Sequence, residues 1–250
     1  MMEDLYARLM KDVRFEEGLN ACMNCGVCTG ICPAAEYYNY DPRRVVDLVQ
    51  TRNNNIILEL LKSETIWYCG QCMSCKTRCP RGNTPGMVIM ALRKVSQELG
   101  YFTESEKGRQ QFAIKRTVGD NILKHGYCVV SYDVDPRSHP EQGPAWEHYY
   151  NNLEESLARV GGELNGKEGP TRKISEEVLQ ELKSIFEVTG GQDLYDAIEK
   201  ASEKKAGEMD LEFRKEGRDF EYFRHVVTAD SGNHQVENEE IRREEHAAGR

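Results

Sequence analysis

Eight of the nine cysteines fall into two runs of identical frame. Cys22, Cys25, Cys28 and Cys32 stand in "ACMNCGVCTGICPAA"; Cys69, Cys72, Cys75 and Cys79 stand in "YCGQCMSCKTRCPRG". Both read C-x2-C-x2-C-x3-C and close on a proline, Pro33 or Pro80. Thiolates at this density are soft ligands for zinc or for iron–sulfur clusters. Structural zinc takes two CxxC-type pairs well apart in sequence, and a third cysteine three residues on has no place in its tetrahedron. Disulfides brace small secreted domains, whereas a chain of 250 residues with 39 % hydrophobic residues builds its own core. Two separate four-thiolate sites account for all eight residues.

The same frame is the run by which bacterial two-cluster ferredoxins hold [4Fe–4S] cubanes, with the fourth cysteine ligating the other cluster. Three thiolates on a tight loop reach three corners of one cube; the fourth, set off by an extra residue and a proline, points away. The expected assignment is Cys22, Cys25, Cys28 and Cys79 to one cluster and Cys69, Cys72, Cys75 and Cys32 to the other. That crossing explains the duplicated phrase, because each half completes its partner's site. All six histidines (His125, His139, His148, His225, His234, His246) lie past residue 120, so neither run has a local histidine to replace a thiolate as in a Rieske centre. Trp67 and Tyr68, abutting Cys69, read equally as a cluster shield or as plain core. Lys76, Arg78 and Arg81 suit cluster charge, an acidic partner surface or simple solvation. Cys128 stands alone and reads as a buried, inert thiol. No phosphate loop, dinucleotide fingerprint, nucleophile elbow or Cys–His pair accompanies the runs, so chemistry beyond electron transfer has no visible seat.

The elements that must position these loops are helical. "MMEDLYARLMKDVRF" spaces Leu5, Leu9 and Val13 four apart and predicts one amphipathic helix leading into the first run. "DPRRVVDLVQTR" starts with Asp41 as N-cap and Pro42 in the first turn and buries Val45, Val46 and Val49. "NIILELLK" is a second short helix that returns the chain to Trp67. "TPGMVIMALRKVSQELG" repeats the start signal with Thr84 and Pro85, puts Val88, Leu92, Val95 and Leu99 on one face and stops at Gly100. Further on, "YCVVSYDVDP" predicts a buried strand or extended segment. "GPAWEHYYNNLEESLARVGG" predicts one helix with Trp146, Tyr149, Leu153, Leu157 and Val160 on one side. "ISEEVLQELKSIFEVTGG" and "QDLYDAIEKASEKKAG" are two more helices ending in glycine.

Charge divides the chain. Residues 1–110 hold 14 Lys and Arg against 13 Asp and Glu, and the rest hold 19 against 29, within a net charge of −9. No basic surplus argues for nucleic acid, and protein partners suit the acidic part better. The longest apolar run, Met87 to Leu92, is far short of a membrane span, and no charged-then-apolar leader opens the sequence, which reads as cytoplasmic without direct membrane insertion.

Phe15, "CMNCGVCTGICP", Asp41-Pro42, "IWYCGQCMSCKTRCPRG" and "VIMALRKVSQELG" closely resemble the C subunit of heterodisulfide reductase over about residues 12–102. The resemblance implies an alpha-helical ferredoxin domain over 1–110 with two CxxCxxCxxxCP cluster loops binding two [4Fe–4S] clusters; composition and periodicity add an acidic helical extension over 111–228 and a disordered tail over 229–250, so that the chain is mainly α. The resemblance also implies a relay without a catalytic site of its own. Its partners would be a catalytic B-like protein with Cys-Cys-Gly cluster motifs and an A-like protein that holds flavin and iron–sulfur clusters. This chain has no Cys-Cys pair. The acidic extension departs from the compact methanogen pattern and favours a heterodisulfide reductase-like complex of sulfur oxidation. The alternatives are the iron–sulfur subunit of another oxidoreductase (glycolate oxidase-like or succinate dehydrogenase-like), a free-standing ferredoxin, or an interaction protein braced by clusters. The plant-type C-x4-C-x2-C frame of the succinate dehydrogenase protein is missing here. On the docked-subunit reading, the helices at Trp146 to Val160 and Val178 to Phe186 grip neighbouring proteins of the complex.

Overall fold

Short polar caps and prolines set where most helices of the first half of the chain begin. In the computed structural model, which describes residues 4–137, 142–167 and 171–229, the chain divides into two compact units between Arg109 and Gln110. It is mainly α, and no strand occurs among the described residues.

The first unit opens with α1 (Leu5–Leu9), capped by Asp4, and α2 (Val13–Gly18), capped by Asp12. The expected single helix is therefore two. The Asp12 carboxylate accepts from Arg14 N at 2.9 Å and restarts the helix, leaving Val13 60 % exposed while Leu5 and Leu9 are buried. Inside the first cysteine run lies α3 (Val27–Gly30), and α4 (Pro33–Tyr37) follows at Cys32. The Asp41 carboxylate then caps α5 (Pro42–Gln50), as its sequence predicts, and Asn53 caps α6 (Asn54–Lys62). After the second run, α7 (Pro85–Glu98) packs against α1, α2, α5 and α6 and is the spine of the unit.

The core of the first unit is aliphatic: Val45, Val46, Val49, Ile57, Leu61, Val88, Ile89 and Leu92 are almost fully buried. Each such side chain contributes about 1.5–3 kcal/mol of transfer free energy. Gly18 lets α2 approach the start of α7. A Cβ there would meet Met87 Cβ at 3.0 Å and Thr84 O at 3.2 Å, while Thr84 N donates to Gly18 O at 2.8 Å. Both cysteine runs are thus anchored on one rigid helix.

The second unit continues α8 (Glu106–Ile114) through a π-helical turn at Lys115–Gly119 into α9 (Asp120–His125). It then contains α10 (Gly143–Asn151), α11 (Leu153–Arg159), α12 (Glu176–Val188), α13 (Gly191–Glu208) and α14 (Glu221–Thr228). Phe112, Phe213, Phe220, Tyr222 and Phe223 form its aromatic core, with ring centroids 5.4–6.4 Å apart.

Five expectations fail in this unit. The segment 127–136 is not a strand. Val129 is 58 % exposed, Cys128 is exposed rather than buried, and only a 3-10 turn, Ser131–Asp133, forms there. A strand needs a neighbour to pair with, and the described chain offers none. The predicted long helix breaks into α10 and α11 at Asn152, whose amide Nδ2 donates to His148 O at 2.8 Å and competes with the helical ladder. Val160, expected on its buried face, is 77 % exposed. α13 also runs through Gly207 and ends only at Met209, although Gly190 does close α12 in left-handed conformation. No described helix is long and apolar enough to cross a membrane. The expected disordered tail lies outside the described residues except for Ala229.

Candidate metal centre

Each cysteine run is an irregular loop whose course is set by left-handed backbone. In the first run Asn24 (φ 61°) and Gly26 (φ 76°) adopt it; in the second, the residues at the same offsets, Gln71 (φ 54°) and Met73 (φ 59°), do so. That conformation costs an L-residue other than glycine about 1–2 kcal/mol. Three of the four positions therefore carry strain of the kind that accumulates at functional sites. The turn aims backbone donors at sulfur: Asn24 N donates to Cys22 Sγ at 3.3 Å and Gln71 N to Cys69 Sγ at 3.4 Å.

Two hollows result. One is lined by Cys22, Cys25, Cys28 and Cys79, with Arg43, Arg81 and Asn83 in its walls. The other is lined by Cys69, Cys72, Cys75 and Cys32, with Tyr40, Ser74 and Gly86. The fourth cysteines arrive by helix starts and turns. Cys32 stands at the N-cap of α4, and Cys79 Sγ accepts from Asn83 N at 3.3 Å. All eight are free thiols, and Cys128 lines neither hollow. Among the described residues no three His, Cys, Asp or Glu side chains converge tightly enough to hold a single metal ion. Four thiols set around a hollow suit a polynuclear core, whose corners lie farther apart than the ligands of one tetrahedral ion.

Electrostatics reinforce this. Burial pushes the Cys28 thiol up to about 11, with the neighbouring Cys75 and Cys22 adding to the effect. Burial also raises Cys75, whereas hydrogen bonding to Ser74 lowers the exposed Cys72. Half-buried thiols near one another resist ionising by themselves, and they give up protons when a cation replaces them.

Cations attend both sites. Arg43 Nη2 pairs with Asp41 Oδ2 at 2.8 Å, and Nη1 reaches the Asn24 side-chain carbonyl; Arg81 Nε donates to Ala21 O at 3.3 Å. Arg93, from α7, clamps the entry to the second run by donating to Ile66 O and Cys69 O, both at 2.7 Å. Its guanidinium lies 5.3 Å from the Trp67 ring centroid.

Trp67 lines neither hollow, and Tyr68 stacks on Tyr38 with ring centroids 4.5 Å apart, so both are packing residues. Lys76 and Arg78 are exposed and line neither hollow; Arg81 lines the first. A separate hollow of about 340 Å³ in the second unit, lined by Lys124, His125, Arg172 and Lys173 among others, contains no cysteine.

Two wall residues have no counterpart among the residues that the sequence singles out. Tyr40 is 4 % exposed and Asn83 is 2 % exposed; Asn83 Nδ2 has no hydrogen-bond partner among the described residues, and the Tyr40 hydroxyl has none besides the Cys69 thiol. A signal did exist. Tyr40-Asp41-Pro42 and Asn83-Thr84-Pro85 occupy matching places, each two residues ahead of the proline that opens the helix after its run.

Comparison with known proteins agrees with this geometry. Residues 18–83 match the family model described as a 4Fe-4S dicluster domain. The C subunit of the ferredoxin:CoB-CoM heterodisulfide reductase of Methanosarcina acetivorans is 39 % identical over 60 % of this chain and 58 % of its own length. The chain thus spans less than two thirds of that relative. The iron–sulfur C subunit of the CoB–CoM heterodisulfide reductase of Methanopyrus kandleri is 32 % identical over 55 % of this chain and 73 % of its own. The C subunit of an H2:CoB-CoM heterodisulfide,ferredoxin reductase of Methanothermobacter marburgensis is 31 % identical over 70 % and 76 %. With these relatives and the paired cysteine loops together, the chain belongs to the family of heterodisulfide reductase C subunits, iron–sulfur proteins with an alpha-helical ferredoxin fold.

Proposed function

We propose that the chain holds two [4Fe–4S] clusters and relays electrons within a heterodisulfide reductase-like complex. Cys22, Cys25, Cys28 and Cys79 ligate one cluster, and Cys69, Cys72, Cys75 and Cys32 the other. The observation that carries this reading is the composition of the hollows, each bringing three thiols from one run together with the fourth from the other. A cubane in each hollow would supply one-electron redox capacity. The chain's own residues then do the rest. The left-handed turns direct amides at sulfur, Arg43 and Arg81 offset negative charge, and α7 holds both loops at fixed separation. No second chemistry is built around these hollows.

The partners follow from the family. A catalytic B-like protein with Cys-Cys-Gly motifs would cleave or form a disulfide, and a flavin-containing A-like protein would exchange electrons on the other side. The names of the relatives favour disulfide reduction over sulfur oxidation. The cytoplasm is the expected compartment.

Anaerobically purified protein should contain about eight iron and eight acid-labile sulfide per chain. Dithionite reduction should give an electron paramagnetic resonance spectrum of two interacting cubanes. Cys79→Ser should remove the cluster of the first run and Cys32→Ser that of the second. Loss in the same run as the mutated residue would refute the crossed assignment, and zinc in place of iron would refute the relay.

A further inference from the structure

We propose that Tyr40 and Asn83 are hydrogen-bond donors to the two clusters, each raising the reduction potential of the cluster anchored by the opposite run. The inference rests on the two-cluster reading above and adds residues that no ligand pattern contains. A buried donor is costly to leave without an acceptor. The first unit carries such a donor in the wall of each four-thiol hollow. Asn83 cannot be explained by its backbone role alone. Its Oδ1 accepts from Asn20 N at 2.5 Å and its own N–H serves Cys79 Sγ, which leaves the buried Nδ2 unpartnered in a residue that lines the hollow. The Tyr40 ring is sealed in the core and lines the hollow with Cys69 and Cys32, its hydroxyl within hydrogen-bonding reach of the Cys69 thiol. Sulfur is the acceptor that both sites offer.

Repeat symmetry strengthens the assignment. Tyr40 belongs to the first half of the repeat yet lines the hollow of the second run, as Cys32 does; Asn83 belongs to the second half yet lines the hollow of the first, as Cys79 does. The donor therefore crosses together with the fourth cysteine. The halves differ only in chemistry, a phenol O–H on one side and an amide N–H on the other. A donor at sulfur stabilises the more negative, reduced cluster, and so each raises the potential of the cluster it touches. Because the two donors differ in kind, the clusters are tuned separately.

The test is a redox titration of the anaerobic full-length chain, followed by electron paramagnetic resonance, on wild type, Tyr40→Phe and Asn83→Ala, with iron and sulfide measured on each. Tyr40→Phe keeps the ring and its packing. It should lower one midpoint about tenfold in the one-electron equilibrium, which is about 59 mV, and leave the other in place. The midpoint that moves should be the one that disappears in Cys32→Ser. Asn83→Ala should lower the other midpoint, the one that disappears in Cys79→Ser. Full iron with neither midpoint moved in Tyr40→Phe, or both moved together, would overturn the inference while leaving the two-cluster reading intact. Wild-type protein without about eight iron would overturn that reading instead. Should Asn83→Ala fail to load iron, Tyr40→Phe still decides.

Discussion

The two units arrange their polar groups around different centres. In the second, Arg116 is 3 % exposed, and every direction of its guanidinium is answered from the same unit. Nε and Nη2 meet the two carboxylate oxygens of Glu199 at 2.6 Å, and the remaining donors reach Gly217 O and Arg214 O. The charge also lies 5.1 Å from the Phe112 ring centroid. In the first unit, by contrast, eight thiols, a tyrosine hydroxyl and an asparagine amide line two hollows, whereas the unpartnered buried groups of the second unit, such as Asn121 Nδ2 and Ser202 Oγ, line neither of them. The second unit centres a buried charge on its own carboxylate; the first sets its thiols around hollows that clusters would fill.

Removing those clusters should test that contrast most severely. Structural metal sites contribute on the order of 10 kcal/mol to small domains that depend on them. Stripping iron with a chelator under denaturant-free conditions should therefore abolish hydrogen-exchange protection in residues 20–100 and leave that of 110–229 unchanged. Equal loss in both units would erase the distinction.

Within the second unit, Glu199→Ala leaves the Arg116 charge uncompensated and should cost about 3 kcal/mol. Thermal unfolding of that unit should fall accordingly while iron per chain stays at the wild-type value. A drop in iron content would mean that the clusters also depend on this pair.

A smaller effect is expected at the junction of α2 and α7. Gly18→Ala introduces a Cβ at 3.0 Å from Met87 Cβ. Overpacking of this kind costs about 1–3 kcal/mol, partly offset by the better helix propensity of alanine. Thermal melting should register it, together with slower iron loading, because the same contact seats both cysteine loops.

The smallest effect comes from pH. Burial alone would raise the Glu98 carboxyl, but hydrogen bonds from Lys94 and Arg8 outweigh it and hold the group below its ordinary value. A depressed folded pKa means that the unfolded chain binds the proton more readily. The contribution of Glu98 is then full above about pH 5 and is lost as pH falls through about 4 toward its lower folded value. The pH dependence of melting in Glu98→Gln should be flatter than wild type across that range, whereas acid lability of the clusters affects both proteins alike.

The cysteine frames, the prolines behind them and the longer helices of the first unit were legible because each is a local signal. Spacing of three, three and four, an Asp-Pro start and a 3.6-residue apolar period each state their geometry within one turn. In the second unit local signals misled. The apolar run at 127–134 has strand composition but no partner to pair with, and Asn152 diverts its side chain into the helix that periodicity carried through it.

What the sequence by itself determined is which atoms can bind soft metal and which helices flank them, because ligand chemistry and helix starts are properties of neighbouring residues. Tertiary structure alone decided that Tyr40 and Asn83 end beside thiols of the opposite run, that Trp67 does not, and that Arg116 meets Glu199 across 83 residues. Burial and the pairing of distant donors depend on how helices pack, and packing is a sum over contacts that no single stretch of chain contains.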